Sequence, residues 1–172
     1  MTDFWLRNFL NNLILLNFMM YRTHLAFGLL AGLIAINYFN TNKYIFIAAV
    51  LFGSIFADID ESGSYIGKRT GFLSWAIEFL FGHRGIFHSL LLASLLFLGF
   101  VAFGYVVLGA GFLVGYVSHL IADALTVGGV RMFYPFSKHV IRGFIRTDGL
   151  LERIFFILVL FAIGYKVIKT GF

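Results

Sequence analysis

The residues of this chain that could do chemistry are its histidines and carboxylates, which are few and unevenly placed. The chain has five His and eight Asp or Glu among 172 residues. His119 and Asp123 lie four residues apart, so they share one face if this segment is helical. Because the chain has no Cys, a metal would be held by imidazole and carboxylate groups. These residue types and this spacing indicate a metal site.

A pair of acids is the second candidate part of the site. Asp58 and Asp60 end an apolar segment, and acids at the C-terminus of a helix oppose the helix dipole. Such a pair needs a compensating cation, which is either a metal or one of the arginines Arg69 and Arg84. The alternative is a helix end that simply reaches water. The spacing alone leaves both interpretations open.

The composition indicates where such a site would be built. Hydrophobic residues make up 60% of the chain and charged residues 12%, with a mean hydropathy of +0.93. Soluble domains have about 45–50% apolar and about 25% charged residues. We therefore predict an integral membrane protein made of a single domain, residues 1–172. The net charge of +5 suits a basic cytoplasmic edge, so no nucleic-acid partner is expected.

The apolar segments predict an all-α, multi-pass transmembrane bundle of about five spanning helices with an additional interfacial helix. The spanning segments are predicted at residues 24–39, 44–57, 86–103, 105–125 and 154–168. Residues 72–81 have the pattern of an amphipathic interfacial helix, with Trp75 at the depth of the lipid headgroups. Residues 1–20 either lie flat in the interface or are not translated, if synthesis starts at Met19 or Met20.

Threading these segments back and forth brings the chemical residues to one membrane edge. All five His and seven of the eight carboxylates fall there, and Asp3 is the exception. Nine of the 13 Lys and Arg residues also lie there, namely Arg22, Lys68, Arg69, Arg84, Arg131, Lys138, Arg142, Arg146 and Arg153. The positive-inside rule then predicts that this edge, and the site, face the cytoplasm.

Glycine spacing predicts which helices meet at the site. Gly28 and Gly32 follow His24 in steps of four residues, and Gly111 and Gly115 precede His119 in the same way. Small residues four apart let membrane helices approach closely. We therefore expect these two glycine faces to pack together and to bring the two histidines into one site. The alternative, two unrelated packing motifs, stays open.

Other catalytic arrangements find little support in the sequence. Ser89 adjoins His88, but no spacing indicates a catalytic triad. Neither a Gly-x-Ser-x-Gly motif nor a phosphate-binding glycine loop is present. His139 lies between Lys138 and Arg142, so we interpret it as part of a solvated basic patch.

Several short motifs follow one another along most of the chain. They are Thr23-His24-Leu25-Ala26-Phe27-Gly28, Asp58-Ile59-Asp60, Phe81-Gly82-His83-Arg84-Gly85-Ile86-Phe87-His88-Ser89, Gly115-Tyr116-Val117-Ser118-His119-Leu120-Ile121-Ala122-Asp123-Ala124-Leu125-Thr126 and Gly149-Leu150-Leu151-Glu152. This series resembles the YdjM family of membrane-bound, metal-dependent hydrolases. The resemblance implies a multi-pass hydrolase, with a more distant likeness to zinc-dependent phospholipase C and P1-type nucleases. Phe87 departs from the family pattern, which has Thr there, and residues 1–20 lie outside it.

The resemblance also implies a set of site residues. The ligands would be His24, Asp58, Asp60, His83, His88, His119 and Asp123. Zinc suits such mixed imidazole and carboxylate ligands, and the number of ions stays open. The metal would activate water and polarise a phosphoryl oxygen, with Asp60 or Glu152 as the proton acceptor. Arg84, together with Arg131 or Arg142, would hold the anionic substrate.

We therefore predict a metal-dependent hydrolase that acts on a phosphoester or a lipid headgroup at the membrane surface. The alternative is a non-enzymatic membrane protein that carries a structural metal and docks lipids or a partner through its basic loops. A metal carrier is disfavoured because the mid-helix positions are apolar or glycine, whereas a transport route needs polar residues at that depth.

Overall fold

The computed structural model describes residues 16–82 and 84–171, without the side chains of residues 16–20 and 81. In that part the protein is all-helical, as predicted. The α-helices are α1 (Leu16–Ala35), α2 (Lys43–Phe56), α3 (Gly67–Thr70), α4 (Phe72–Phe81), α5 (Leu90–Ala102), α6 (Val106–Ala124) and α7 (Leu150–Thr170). Short 3-10 turns lie at Ile36–Tyr38, Ala57–Asp60 and Ile86–His88. The two interpretations of residues 1–20 concern mainly residues 1–15, which lie outside the described part.

The start of α5 differs from the prediction in a way that matters for the site. We expected one helix over residues 86–103 with His88 at its beginning, but α5 begins only at Leu90. Ser89 ends the preceding 3-10 turn and caps the helix, because its side chain accepts a hydrogen bond from the Leu92 N–H at 3.3 Å. His88 therefore sits on the turn before the helix, and Ser89 has a structural role there.

Among the described residues, α6 is long and apolar enough to cross a membrane. The apolar α5 has only 13 residues. Helices α1 and α7 are long enough, with 20 and 21 residues, but not apolar enough, and α2 is too short. The number of spanning helices therefore stays a prediction.

The centre of the bundle is the close contact between α2 and α6. A Cβ atom on Gly115 would overlap the Val50 carbonyl oxygen, and one on Gly53 would overlap the Phe112 carbonyl oxygen. The two helices can approach this closely only because both carry glycine at the crossing. The fully buried ring of Tyr116 packs beside this crossing.

The predicted packing of the two glycine faces is observed in part: α1 and α6 do pack together, but their glycines lie mainly on α2. Gly28 on α1 lies closest to Ser54 of α2 and also beside Ser118 of α6, whereas Gly32 faces Val50 of α2. The α6 glycines, Gly111 and Gly115, also face α2. Glycine spacing identifies a close-packing face but carries no information on its partner. The common partner α2 nevertheless holds α1 and α6 side by side, which brings their histidines together.

Two ordered segments close the end of the bundle where the predicted site residues lie. Helix α4 is tied to the turn that carries Asp58 and Asp60, because the Ser62 N–H donates a hydrogen bond to Glu78 at 2.9 Å. The segment between α6 and α7 is folded by two isolated β-bridges, Thr126–Ile145 and Val130–Ile141. These contacts make both connections part of the fold.

Candidate metal centre

Five side chains from four parts of the fold converge at this end of the bundle, and we call them the His–Asp cluster. His24 comes from α1, Asp58 from the 3-10 turn after α2, His88 from the turn before α5, and His119 and Asp123 from the last turns of α6. The side chain of Asp58 is 17% exposed, whereas each of the other four residues is at most 4% exposed. The cluster is therefore buried, with Asp58 at its accessible side.

The spacing within the His–Asp cluster fits a small metal ion. The Nε2 atoms of His88 and His119 are 3.3 Å apart, and His88 Nε2 is 3.4 Å from Asp123 Oδ2. His119 Nε2 is 3.5 Å from Asp58 Oδ1, and His24 Nε2 is 3.5 Å from Asp123 Oδ1. Ligands about 2.0–2.1 Å from a tetrahedral zinc ion lie about 3.3–3.4 Å from one another. These four separations lie close to those edges, whereas His119 Nε2 to Asp123 Oδ2 at 3.7 Å and His88 Nε2 to Asp58 Oδ1 at 3.9 Å are longer.

The Nδ1 atoms of His88 and His119 point away from the cluster and form hydrogen bonds. These bonds determine the tautomer of each ring, and so whether Nε2, which faces the cluster, carries a proton or a lone pair. His119 Nδ1 is 2.9 Å from the Ser54 carbonyl oxygen, which can only accept, so Nδ1 donates. His88 Nδ1 likewise donates to Asp60 Oδ2 at 3.0 Å. In the neutral rings both Nε2 atoms are then acceptors that face each other. Two lone pairs and two carboxylates in one buried space need a cation among them.

Asp123 shows the same need for a cation. Its side chain is 1% exposed, and neither carboxylate oxygen has a hydrogen-bond partner among the described residues. Its neighbours are nitrogens of the cluster and the Arg84 guanidinium, whose Nη2 lies 3.6 Å from Oδ1. Burying an ionised carboxylate without hydrogen bonds is costly unless a metal or another charge compensates it. The donor set therefore fits a divalent ion.

Two overlapping groups of three residues could hold an ion. One is His24, His119 and Asp123, and the other is Asp58, His88 and His119. His119 belongs to both, but its Nε2 offers one lone pair because Nδ1 is bonded to the Ser54 carbonyl. His119 can therefore serve one ion only.

The acids around His88 alter its protonation in the metal-free protein. Burial disfavours the charged imidazolium, but the hydrogen bond to Asp60 and the charges of Asp60, Asp123 and Asp58 outweigh burial and raise the pKa of His88 above its usual value. A proton on His88 Nε2 can thus take the position that a metal ion would occupy. Metal and proton compete for the same nitrogen.

Asp60, predicted as both ligand and proton acceptor, lies behind His88. Its carboxylate is fully buried, and Oδ2 accepts hydrogen bonds from His88 Nδ1 at 3.0 Å and from the Arg84 backbone N–H at 3.1 Å. This carboxylate therefore orients the imidazole through the nitrogen that points away from the cluster. Orienting partners of this kind are common around metal-bound histidines.

Arg84 lies at the edge of the His–Asp cluster in a strained conformation. Its φ of 57° is in the left-handed region, which a long side chain rarely adopts. Its Nη1 donates to the Gly129 carbonyl oxygen at 3.1 Å, and the side chain is 22% exposed. A Cβ on Gly128 would overlap Nη1, so the Gly-Gly turn makes room for this guanidinium.

Glu152, the other predicted proton acceptor, is brought close to the cluster but has a different set of contacts. It is 5% exposed in the first turn of α7. One oxygen accepts from the Thr23 hydroxyl at 2.9 Å and the other from the Asp148 N–H at 2.6 Å. It lines a cavity of about 20 Å³ together with His24. Glu152 thus ties α7 to α1 beside a cluster histidine.

The remaining predicted residues lie away from the cluster or outside the described residues. His83 is outside the described part of the chain. Arg131 and Arg142 are exposed on the segment between α6 and α7, as is His139. Arg69, considered as a counter-ion for the acids, stacks on Tyr65 with its Cζ 3.8 Å from the ring centroid.

Sequence reasoning missed two contributors to the site. The Ser54 carbonyl oxygen orients His119, and no sequence pattern could reveal it because every residue has a carbonyl. Gly128 and Gly129 receive the Arg84 side chain. The signal for these two was available, since a Gly-Gly pair in a basic segment marks a turn that other chain parts can approach closely.

Known proteins similar to this chain include membrane proteins. Residues 19–171 match the family described as YdjM inner membrane protein. The chain is 32% identical over 122 residues to a Bacillus subtilis (strain 168) protein named Uncharacterized protein YvsG, which covers 69% of this chain and 75% of that protein. It is 35% identical over 95 residues to Inner membrane protein YdjM of Escherichia coli (strain K12), covering 52% of this chain and 48% of that protein. The match thus spans about half the length of the latter relative. No solved structure matches.

Proposed function

Because the chain belongs to the YdjM family of inner membrane proteins, we propose that it is a membrane-bound, metal-dependent hydrolase of phosphoesters. The observation that carries this proposal is the His–Asp cluster, in which buried lone pairs and carboxylates face one another at 3.3–3.5 Å. Zinc is the metal that suits this mixture of imidazole and carboxylate ligands.

The proposed ligands are the five residues of the His–Asp cluster, and the surrounding residues have separate tasks. A bound divalent metal supplies Lewis acidity and lowers the pKa of a water molecule that it holds. Asp60 keeps His88 in the ligating tautomer, and the Ser54 carbonyl does the same for His119. Arg84, which is partly exposed beside Asp123, binds the anionic phosphoryl group.

The proton acceptor in this proposal is Asp58. Asp60 is fully buried behind His88, with Oδ2 bonded to His88 and Arg84, and both oxygens of Glu152 accept hydrogen bonds from Thr23 and Asp148. Neither is therefore well placed to take a proton from an attacking water. Asp58 is the cluster carboxylate with appreciable exposure. Its Oδ1, 3.5 Å from His119 Nε2, would hold the metal, so the other carboxylate oxygen of Asp58 would accept the proton.

We further propose that the remaining long or apolar helices span the membrane together with α6. The site end then faces the cytoplasm, since nine of the 13 Lys and Arg residues are predicted there. Asp123 near the end of α6 and Asp58 directly after α2 are consistent with this arrangement. His24, expected at the start of its helix, instead lies near the middle of α1, which begins eight residues earlier at Leu16.

A structural metal site is the second candidate function, and burial favours it. Four of the five cluster residues are at most 4% exposed, and closed sites without an open coordination position are typical of structural metals. In that case the ion would hold α1, α6 and the two turns together, and no water would be activated.

The test starts from protein purified in detergent and analysed for bound metals. We expect stoichiometric zinc and metal-dependent hydrolysis of an activated phosphodiester such as bis(4-nitrophenyl) phosphate. His119→Ala should lose both metal and activity, whereas His139→Ala, on the exposed segment, should keep both. Protein without stoichiometric metal whose activity survives His119→Ala would overturn the proposal. Tightly bound metal without hydrolysis of any phosphoester would support the structural alternative.

A further inference from the structure

The segment between α6 and α7 combines positive charge with exposed aromatic rings. From Leu125 to Thr147 the sequence has no Asp or Glu. We call residues 131–146 the docking loop. Its exposed basic residues are Arg131, Lys138, His139, Arg142 and Arg146. A surface of this charge attracts anionic partners.

Three phenylalanines of the docking loop point outwards. Phe133 is 51% exposed, Phe144 is 74% exposed and Phe136 is 84% exposed. Such rings in a solvated loop would normally turn inwards, since burying a Phe side chain is favourable. Three exposed phenyl rings between cationic side chains therefore indicate a surface that binds a partner or a membrane.

The exposure of these rings follows from the fold of the loop. The Val130 and Ile141 backbones exchange hydrogen bonds, each at 2.9 Å. The Leu90 N–H donates to the Met132 carbonyl oxygen at 2.8 Å, which ties the loop to the start of α5. The backbone is thus held on both sides while the phenyl rings project from it.

The position of the docking loop identifies what covers it. The loop begins seven residues after the end of α6, the helix long and apolar enough to cross a membrane, on the segment that follows the cluster residue Asp123. The Gly129 carbonyl, two residues before the loop, accepts from Arg84 at the edge of the cluster. A basic, aromatic loop at the end of a spanning helix lies where lipid headgroups are, and its charges match anionic headgroups.

We propose that the docking loop inserts its phenylalanines into the membrane interface and binds anionic lipid headgroups, so that the metal centre acts on a phosphoester of a bilayer lipid. The second half of this statement rests on the proposed hydrolase function. The first half rests on the loop alone. Arg84 and the cluster then lie beside the headgroup layer, from which a lipid phosphate reaches them without leaving the bilayer.

Depth-dependent fluorescence quenching tests the docking half. The native Trp5 and Trp75 are replaced by Phe, and Phe136→Trp supplies the single reporter in the full-length protein. In vesicles of phosphatidylcholine and phosphatidylglycerol, lipids brominated near the headgroup end of the chains should quench the reporter and shift its emission to the blue. Aqueous iodide should quench it weakly. Strong quenching by iodide together with weak quenching by the brominated lipids would overturn docking and would favour a protein partner for this surface.

Charge removal provides the matched variant. Replacing Arg131, Lys138, Arg142 and Arg146 by Gln should reduce quenching in vesicles that contain phosphatidylglycerol. In vesicles of pure phosphatidylcholine, where quenching of the unaltered loop is already weaker, the replacement should change the quenching little. Bound metal should be unchanged, because none of these residues is in the His–Asp cluster. Equal quenching of both proteins in both lipids would overturn the role of anionic headgroups.

Comparing a lipid substrate in the vesicles with a soluble phosphodiester tests separately whether the protein is a hydrolase and whether its substrate is a lipid. Faster turnover of the vesicle phosphatidylglycerol than of soluble bis(4-nitrophenyl) phosphate, with the advantage lost in the charge-removal variant, supports a lipid substrate. Cleavage of the soluble ester alone overturns the lipid substrate and leaves the hydrolase in place. Cleavage of neither compound by the zinc-loaded protein overturns the hydrolase, while the quenching result still decides docking.

Discussion

Replacing Asp60 is the most informative single change, because its carboxylate acts on the metal centre through two other residues. Oδ2 accepts one hydrogen bond from His88 Nδ1 at 3.0 Å and another from the Arg84 backbone at 3.1 Å. Without it, His88 has no acceptor holding its proton on Nδ1, and the tautomer protonated on Nε2 cannot bind a metal through Nε2, the nitrogen that faces the cluster. The strained backbone of Arg84 also loses its hydrogen bond.

The size of the effect follows from these contacts. A hydrogen bond to a charged group is worth about 1.5–3 kcal/mol, and loss of an orienting partner typically weakens metal binding by about 10–100-fold. We therefore expect Asp60→Ala to reduce zinc affinity by about 10–100-fold, which corresponds to about 1.4–2.7 kcal/mol. Asp60→Asn keeps an acceptor without its charge, so its loss should be smaller.

Zinc affinity is measured by competition with a chromophoric chelator in detergent. Asp58→Ala, which removes a proposed ligand, should cost more than Asp60→Ala. If Asp60 acts through His88, the Asp60→Ala change should add little in a His88→Ala background, since coupled residues are not additive. Wild-type affinity in Asp60→Ala, with an unaltered melting temperature, would refute the orienting role. Full additivity with His88→Ala would instead indicate an independent ligand.

Three further predictions follow from the geometry. Gly115→Ala should lower the melting temperature strongly, because its methyl group would overlap a backbone carbonyl of α2, whereas Gly164→Ala, in open space on α7, should be neutral or stabilising by up to about 1 kcal/mol. Gly128→Ala should displace the Arg84 guanidinium and weaken binding of inorganic phosphate to the zinc-loaded protein without weakening zinc binding. Zinc affinity should rise as pH rises from about 6 to about 8, because the raised pKa of His88 lets protons compete above the usual histidine range.

Each of these predictions has its own control. Equal melting temperatures for the two glycine variants would contradict the close α2–α6 contact. Gly99→Ala, which also lies in open space, should leave phosphate binding unchanged, and equal phosphate binding in Gly128→Ala would contradict the placement of Arg84. Calorimetry in buffers of different ionisation enthalpy reports the protons released on zinc binding, and zinc affinity that does not change with pH would contradict proton competition at His88.

The sequence predicted where helices lie because the apolar runs in a chain of this composition are long. It missed some of their ends, since α1 begins at Leu16 and α7 at Leu150, ahead of the predicted starts at residues 24 and 154. Residues 72–81 form the helix that was expected there, and α6 departs from the predicted 105–125 by one residue at each end. It could not predict that α5 starts after His88, because a single serine cap decides that boundary. Nor could it identify α2 as the partner of both glycine faces, since spacing describes one helix at a time.

For the site, the sequence by itself determined the chemistry of the donors. A chain without Cys, with His119 and Asp123 one helical turn apart and two acids ending an apolar helix, can offer a metal only imidazole and carboxylate groups. It also determined that these groups gather at one end of the bundle, because alternating helix directions follow from the order of the apolar segments.

Only the tertiary structure decided which donors face one another and which stand behind them. Asp58 and Asp60 are two residues apart, yet Asp58 lies 3.5 Å from His119 while Asp60 bonds the far nitrogen of His88. A 3-10 turn places neighbouring side chains in different directions, and its orientation depends on packing against segments distant in the chain. The tautomers of His88 and His119 depend on the same distant contacts, including a backbone carbonyl that no residue type encodes.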